Sequence, residues 1–258
     1  MAPSVGVDPA RCLHGHNDYL QPVPLTKALE LGFGSVEADV FLVDGELRVG
    51  HERWQLRPGH TLRSLYLEPL RRHLDANGGK VHAGEGRPFV LLVDIKAEPS
   101  RVWPVLQQEL AAFAPMLTRW NGATVQAGAV TVVLSGARPW REVAAAAERH
   151  CALDGRLRDL DAIPPTDAAL VPWISDAWTN VSDWRGSDEL MPAECERIAA
   201  LVARAHAQGR ELRFWGVPDR PEAWRALREL GVDRISTDRP ADAAKFVRED
   251  EARMPHRR

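Results

Sequence analysis

Cysteine is scarce: Cys12, Cys151 and Cys195 are the only three in 258 residues, and no two form a C-x-x-C pair. An odd, scattered count supports neither a disulfide framework nor a zinc knuckle, and it implies reduced, partly buried thiols. Long apolar runs are also missing. None approaches the roughly 18 residues of a transmembrane helix. Residues 1–11 lack the apolar stretch of a signal peptide. The expectation is a soluble chain, cytoplasmic unless a leader has been removed. Neither sign of charge dominates, since 33 Lys+Arg against 36 Asp+Glu give −3. That balance excludes the electrostatic footprint of a nucleic-acid binder or of a protein steered to an anionic membrane. Glycine and proline, 19 each, are too few for a disordered or collagen-like chain.

What is present is 45% hydrophobic and 27% charged residues in a length ordinary for an α/β barrel. Bursts of Val, Ile and Leu alternate with helical patterns. The bursts predict strands over 11–14, 35–43, 88–97, 129–136, 169–176, 211–218 and 233–237. The helical patterns fall over 25–31, 62–77, 100–114, 140–151, 192–208, 222–230 and 241–251. Ile198, Leu201, Val202 and Ala205 make one apolar stripe at helical spacing. Strand–helix alternation implies parallel strands covered by helices. Seven or eight such units in one domain, 1–258, fit a (β/α)8 TIM barrel best, with a doubly wound open sheet as the alternative. The stretches 118–127 and 154–167 are irregular, and one strand is expected to hide there. Asp44-Gly45 supplies the positive φ angles of a tight hairpin turn after the second strand.

Most strands break their hydrophobic pattern at the C-terminal end, which in a parallel barrel is the mouth. The first ends His14-Gly15-His16-Asn17-Asp18, and residues two apart share a face. The second carries Glu37 and Asp39 on one face among Val, Phe and Leu. Two carboxylates so placed repel unless a cation joins them, and hard oxygen ligands select Mg²⁺ or Ca²⁺. The hairpin returns His51 toward the mouth. The third strand ends Asp94-Ile95-Lys96, which offers a third carboxylate and a cation for an anionic oxygen. Trp215 ends a later strand, and Asp238 follows the last one.

In this order, the string His14-Gly-His-Asn-Asp-Tyr19, Pro24-Leu25, Ser35-Val-Glu-Ala-Asp-Val40, His51 and Asp94-Ile-Lys96 resembles the phosphatidylinositol-phospholipase-C-like phosphodiesterase superfamily. Within it the string resembles glycerophosphodiester phosphodiesterases related to spider-venom sphingomyelinase D, in a subfamily marked by an HxHNDY string. The likeness continues more weakly through Arg213-Phe-Trp-Gly-Val-Pro-Asp219 to Ile235-Ser-Thr-Asp-Arg-Pro240. The resemblance implies a TIM barrel with one divalent cation, Mg²⁺ or Ca²⁺, on Glu37, Asp39 and Asp94. It implies His51 as one catalytic histidine. The other falls on His14 by one branch of the family and on His16 by the other. Lys96 and Trp215 match residues lining the phosphate and lipid side. The chain departs from the family at Gly15, where an Arg is usual, at Glu52, where an Asp is usual, and at Gln21-Pro-Val-Pro-Leu25, which lacks a usual Glu.

The expected activity is metal-dependent cleavage of a glycerophosphodiester or (lyso)phospholipid-type phosphodiester, by hydrolysis or through a cyclic phosphate. Acid–base work on a phosphodiester needs one proton taken and one given. The expected pair is His14 and His51, with His16 and Asn17 in support. Two other readings compete. A barrel that binds phosphodiesters without catalysis fits the departures. An amidohydrolase-type site fits His-x-His and Asp238, but needs histidines on the middle strands, which end Ser135-Gly136 and Ser175-Asp176. His60, His73, His82, His150, His206 and His256 are expected in helices or loops.

Overall fold

Twelve strands and seven α-helices were found in a computed structural model that describes residues 8–84, 87–163, 165–187 and 189–253. His256 and residues 1–7 of the N-terminal stretch 1–11 lie outside the described residues. The strands are β1 (Leu13–Gly15), β2 (Ser35–Val43), β3 (Glu46–Val49), β4 (Phe89–Ile95), β5 (Arg119–Asn121) and β6 (Thr124–Gln126). They continue as β7 (Val130–Gly136), β8 (Glu148–Arg149), β9 (Cys151–Gly155), β10 (Trp173–Ala177), β11 (Glu211–Trp215) and β12 (Arg234–Thr237). Eight of them are parallel, in the order β1-β2-β4-β7-β9-β10-β11-β12, and β12 pairs with β1 again. The sheet is therefore a closed (β/α)8 barrel. The helices are α1 (Thr26–Glu30), α2 (Glu68–Ala76), α3 (Pro99–Ala111), α4 (Trp140–Ala145), α5 (Pro192–Ala207), α6 (Pro221–Glu229) and α7 (Pro240–Arg253).

Period-two alternation divides each strand between two environments. Val36, Ala38 and Val40 of β2, Leu91, Val93 and Ile95 of β4, and Leu212 and Phe214 of β11 join the main core, which includes Val102 and Leu106 of α3 and Ile198 and Val202 of α5. A separate apolar cluster, Val90, Leu92, Val133 and Trp173, comes from the alternate positions of β4, β7 and β10 and plugs the barrel interior. Burying a Phe or Leu side chain on either side is worth about 1.5–3 kcal/mol. Toward the C-terminal ends of the strands the inward positions turn polar: Glu37, Asp39, Asp94, Ser135, Asp154, Ser175 and Arg213. The plug is a floor, and these residues stand above it.

The hairpin turn forms as the sequence requires. Asp44 has φ 53° and Gly45 φ 79°, and β3 returns antiparallel to β2. Thr61 accepts a hydrogen bond from the Ser64 N–H at 3.1 Å and so caps the helical segment leading into α2. Two elements differ from expectation. The helix read over 140–151 stops at Ala145, and Cys151 opens β9, which pairs with both β7 and β10. The run Ala144–Glu148 has high helix propensity, but pairing in the barrel overrides it. The stretch 118–127 holds no barrel strand; it is the β5–β6 hairpin, joined by β8, with Arg149 stacked 4.4 Å from the Trp120 ring. The only strand residues in the described part of 154–167 are the last two of β9, Asp154 and Gly155.

Candidate active site

The β2–β4 register sets Asp39 directly beside Asp94. Glu37 lies two residues earlier on the same face. One oxygen from each of Glu37, Asp39 and Asp94 falls within 4.8 Å of the others. Gly136, at the end of β7, has φ 66°, and a Cβ there would lie 2.5 Å from an Asp94 carboxylate oxygen. The glycine therefore makes room for Asp94.

Fixed cations meet only part of this cluster. Lys96 Nζ is 2.7 Å from Asp39 Oδ2 and 3.2 Å from Asp94 Oδ1. Arg213, on β11, reaches Glu37 Oε2 at 2.9 Å and the Ser236 hydroxyl at 3.0 Å. Burial opposes the charge on Glu37, but Arg213 and His14 outweigh it and hold its carboxyl well below the ordinary range. Burial raises the Asp94 carboxyl, and the charges of Glu37 and Asp39 add to the rise against the pull of Lys96. Asp39 is fully buried, and its Oδ1 has no hydrogen-bond partner among the described residues. A buried, unpartnered carboxylate oxygen is costly. A hard divalent cation would satisfy it, and the all-oxygen donor set fits Mg²⁺ or Ca²⁺.

The three histidines have different surroundings. His14 is fully buried, with Nδ1 2.9 Å from the Ser35 hydroxyl and Nε2 3.3 Å from Glu37. Both ring nitrogens are engaged. Burial and the Arg213 charge push its pKa down to about 3, against the attraction of Glu37. His16 lies at the rim, with Nδ1 2.9 Å from Asp238 Oδ1. Burial opposes its charge, but the Asp238 hydrogen bond and the Glu37 charge outweigh this and hold it above the ordinary value. His51 is half exposed and its Nδ1 lies 2.8 Å from Asp39 Oδ2. In both rim histidines Nδ1 lies against a carboxylate, which favours the tautomer with a proton on Nδ1, and Nε2 has no partner among the described residues; Asn17 Nδ2 also lies 3.3 Å from His16 Nδ1. Asn17, at φ 46°, turns the chain away from the barrel just after His16. Tyr19 adds a hydroxyl 2.7 Å from both Asn17 Oδ1 and Asp39 Oδ2.

Trp215 is half-buried at the end of β11, and the Arg156 guanidinium lies 5.0 Å from its ring centre. Sequence reasoning quoted Tyr19, Ser35 and Arg213 within its motif strings but gave them no role, and it did not name Arg156. Arg213 was within reach of the parity rule, since it stands two residues before Trp215 in an apolar strand. Of the other histidines, His206 pairs with Asp233 and His82 with the Phe33 carbonyl, both away from the mouth. A cavity of about 460 Å³ lined by Val90, Trp173, Glu211 and Arg234 opens at the opposite, N-terminal end of the strands. It contains none of the carboxylate triad, and that end of such barrels usually serves stability.

Residues 3–154 match the AIM6-like phosphodiesterase domain, and residues 211–241 match the glycerophosphoryl diester phosphodiesterase family. The chain is 31% identical over 264 residues to the altered inheritance of mitochondria protein 6 homolog of Arthroderma benhamiae, covering 90% of this chain and 82% of that protein. It is 29% identical to altered inheritance of mitochondria protein 6 of Eremothecium gossypii, covering 91% of this chain and 69% of that one. The crystal structure of a glycerophosphodiester phosphodiesterase from Agrobacterium tumefaciens superposes with a TM-score of 0.53 at 17% identity, over 92% of this chain and 98% of that one. No described helix is long and apolar enough to cross a membrane.

Proposed function

Because the chain belongs to the AIM6-like phosphodiesterase family, with the barrel of the glycerophosphodiester phosphodiesterases, we propose that it is a metal-dependent phosphodiesterase acting on a glycerophosphodiester or a (lyso)phospholipid-type phosphodiester. One observation carries this reading. Two rim imidazoles, His16 and His51, each have Nδ1 held by a carboxylate and Nε2 left open, beside three converging carboxylates.

Glu37, Asp39 and Asp94 would hold one Mg²⁺ or Ca²⁺. When bound, such an ion neutralises charge on a nonbridging phosphoryl oxygen. The protein supplies the rest. Lys96 stands beside Asp39 and Asp94 as a cation for a second phosphate oxygen. His51 Nε2, with its Nδ1–H donated to Asp39, suits the base that takes a proton from the nucleophile. His16, whose protonated form is favoured by Asp238, suits the acid that gives a proton to the leaving oxygen. His14, expected from the sequence as half of the pair, is instead proposed to orient Glu37, because both its nitrogens are engaged below the rim. Asn17 and Tyr19 set the turn that carries His16. Trp215 lies on the head-group side. A groove of about 490 Å³ beside Asp238, lined by Pro22, Val23, Pro240 and Ala241, suits the apolar arm of a substrate.

The test is a turnover screen of the Mg²⁺- or Ca²⁺-loaded protein over glycerophosphodiesters, lysophospholipids, sphingomyelin and cyclic phosphates. Cleavage of at least one class, abolished by chelation, is expected. Equal Mg²⁺ affinity in wild type and Asp39→Asn, measured by calorimetry, would contradict the ligand assignment.

A further inference from the structure

Trp215 ends β11 with its ring toward the mouth-side loops, where an electron-rich face could hold a cationic head group. A protein cation already takes that place. Arg156, just after β9, extends past β10 so that its guanidinium carbon lies 5.0 Å from the Trp215 ring centre. It is held there from below. Its Nη1 donates to Asp154 Oδ2 at 2.9 Å and to the Gly155 carbonyl at 2.8 Å. Asp154 is fully buried and also accepts from the Ser175 hydroxyl at 2.6 Å and the Ser135 hydroxyl at 2.9 Å. The cation–aromatic stack thus rests on a built polar network and is not a loose surface contact.

A second guanidinium joins it. Arg138 follows Gly136, the residue that abuts Asp94, and donates to the Asp154 backbone carbonyl. It stacks 5.6 Å from the Trp140 ring. It has no carboxylate within ion-pair distance among the described residues. The one buried carboxylate beneath the two arginines is the ion-pair partner of Arg156. Asp159, whose Oδ2 accepts the Arg156 backbone N–H at 2.7 Å, and Asp154 act on the Arg138 charge only from beyond ion-pair distance, so Arg138 is a guanidinium with no direct carboxylate contact among the described residues. The strand bearing Ser135 and Gly136 is the immediate neighbour of the strand bearing Asp94. With strands about 4.8 Å apart, the arginine shelf stands roughly 10 Å from the carboxylate triad, within the span of one phosphodiester and its head group.

We propose that Arg138 and Arg156 form a subsite for a negatively charged head group, a phosphate or a carboxylate, and that the filled face of Trp215 rejects quaternary ammonium head groups. The inference rests on the phosphodiesterase reading for its substrate, while the subsite itself is a matter of binding. Guanidinium groups match phosphate and carboxylate oxygens in two-point contacts.

The experiment compares four glycerophosphodiesters whose head groups are choline, glycerol, serine and inositol 4-phosphate. The metal-loaded protein is titrated with each by calorimetry, and kcat/KM is measured for every one that is cleaved. The expected order is inositol phosphate tightest, choline weakest, with at least a tenfold difference between them. The serine arm reports whether a carboxylate suffices. Arg138→Gln should narrow the difference fivefold or more, chiefly through KM. Arg156 supports a buried carboxylate, so its replacement is made together with Asp154→Asn, which keeps the network neutral. That double variant should also narrow the difference. Choline binding as tightly as inositol phosphate would overturn the proposal, and so would an Arg138→Gln variant that weakens all four equally. If no diester is cleaved while the binding order holds, the phosphodiesterase reading fails and the anionic subsite stands.

Discussion

Asp18 lies in the turn after His16, is almost fully buried, and has no cation against it among its described contacts. Its Oδ2 accepts the Leu25 N–H at 2.6 Å and the Tyr66 hydroxyl at 3.0 Å. Leu25 has φ 60° and ψ −53°, and the Thr26 N–H donates to the Pro24 carbonyl at 2.6 Å. That is a classic-type γ-turn, a strained conformation that Asp18 helps to hold. Burial pushes the Asp18 carboxyl from 3.8 up to about 6, although the two hydrogen bonds pull the other way. The fold therefore prefers the protonated acid. This contribution to stability is complete below pH 3.8 and is lost as pH rises through about 6. A rise of that size is worth on the order of 3 kcal/mol. Asp18→Asn keeps an oxygen acceptor and does not titrate. Urea unfolding of both proteins at pH 3.8, 5, 6 and 7.5 should show the variant gaining on wild type by about 3 kcal/mol between the extremes, with no further change above pH 7. Parallel stability curves across that range would refute the reasoning.

Three further outcomes are expected. Arg213→Met leaves Glu37 buried without its principal cation and should cost about 3–5 kcal/mol in urea unfolding; an unchanged midpoint would mean that the pair is not a structural anchor. Gly136→Ala puts a Cβ against Asp94 at a positive φ and should cost about 1–3 kcal/mol, with Mg²⁺ affinity by calorimetry falling alongside. With His16 as the acid, kcat/KM should fall as pH rises through a value above 6.5. Asp238→Asn should move that limb to lower pH, because the hydrogen bond and charge that favour the protonated ring are weakened.

Much of this architecture was readable from residue order, because the physics that shapes it is local. Val, Leu and Ile alternating with polar groups at strand ends predicted the parallel barrel and its mouth. Glu37, Asp39 and Asp94 were conspicuous because carboxylates inside apolar strands need a partner, and period two put them on one face. Asp44-Gly45 specified its turn by backbone sterics. Other features depended on distances that spacing does not encode. The alanine run before Cys151 favours helix locally, so β9 emerged only from pairing with β7 and β10. Parity placed His14 and His16 on one face but was silent on depth, and depth separates a buried ring with two engaged nitrogens from a rim ring with one free. Arg138 and Arg156 sit in loops after strands of unlike sequence context, and only the closed barrel brings them over Asp154.

The central claim is tested most directly by the turnover of three single variants on whichever diester the wild type cleaves. His16→Asn and His51→Asn should each lower kcat by about 10² or more while Mg²⁺ or Ca²⁺ binding by calorimetry survives, in His51→Asn because Lys96 and Tyr19 still hold the Asp39 Oδ2 that His51 contacts. His14→Asn should instead weaken metal binding, through the Glu37 carboxylate that it orients. A His51→Asn or His16→Asn protein that retained a near-wild-type rate would contradict the two-imidazole mechanism.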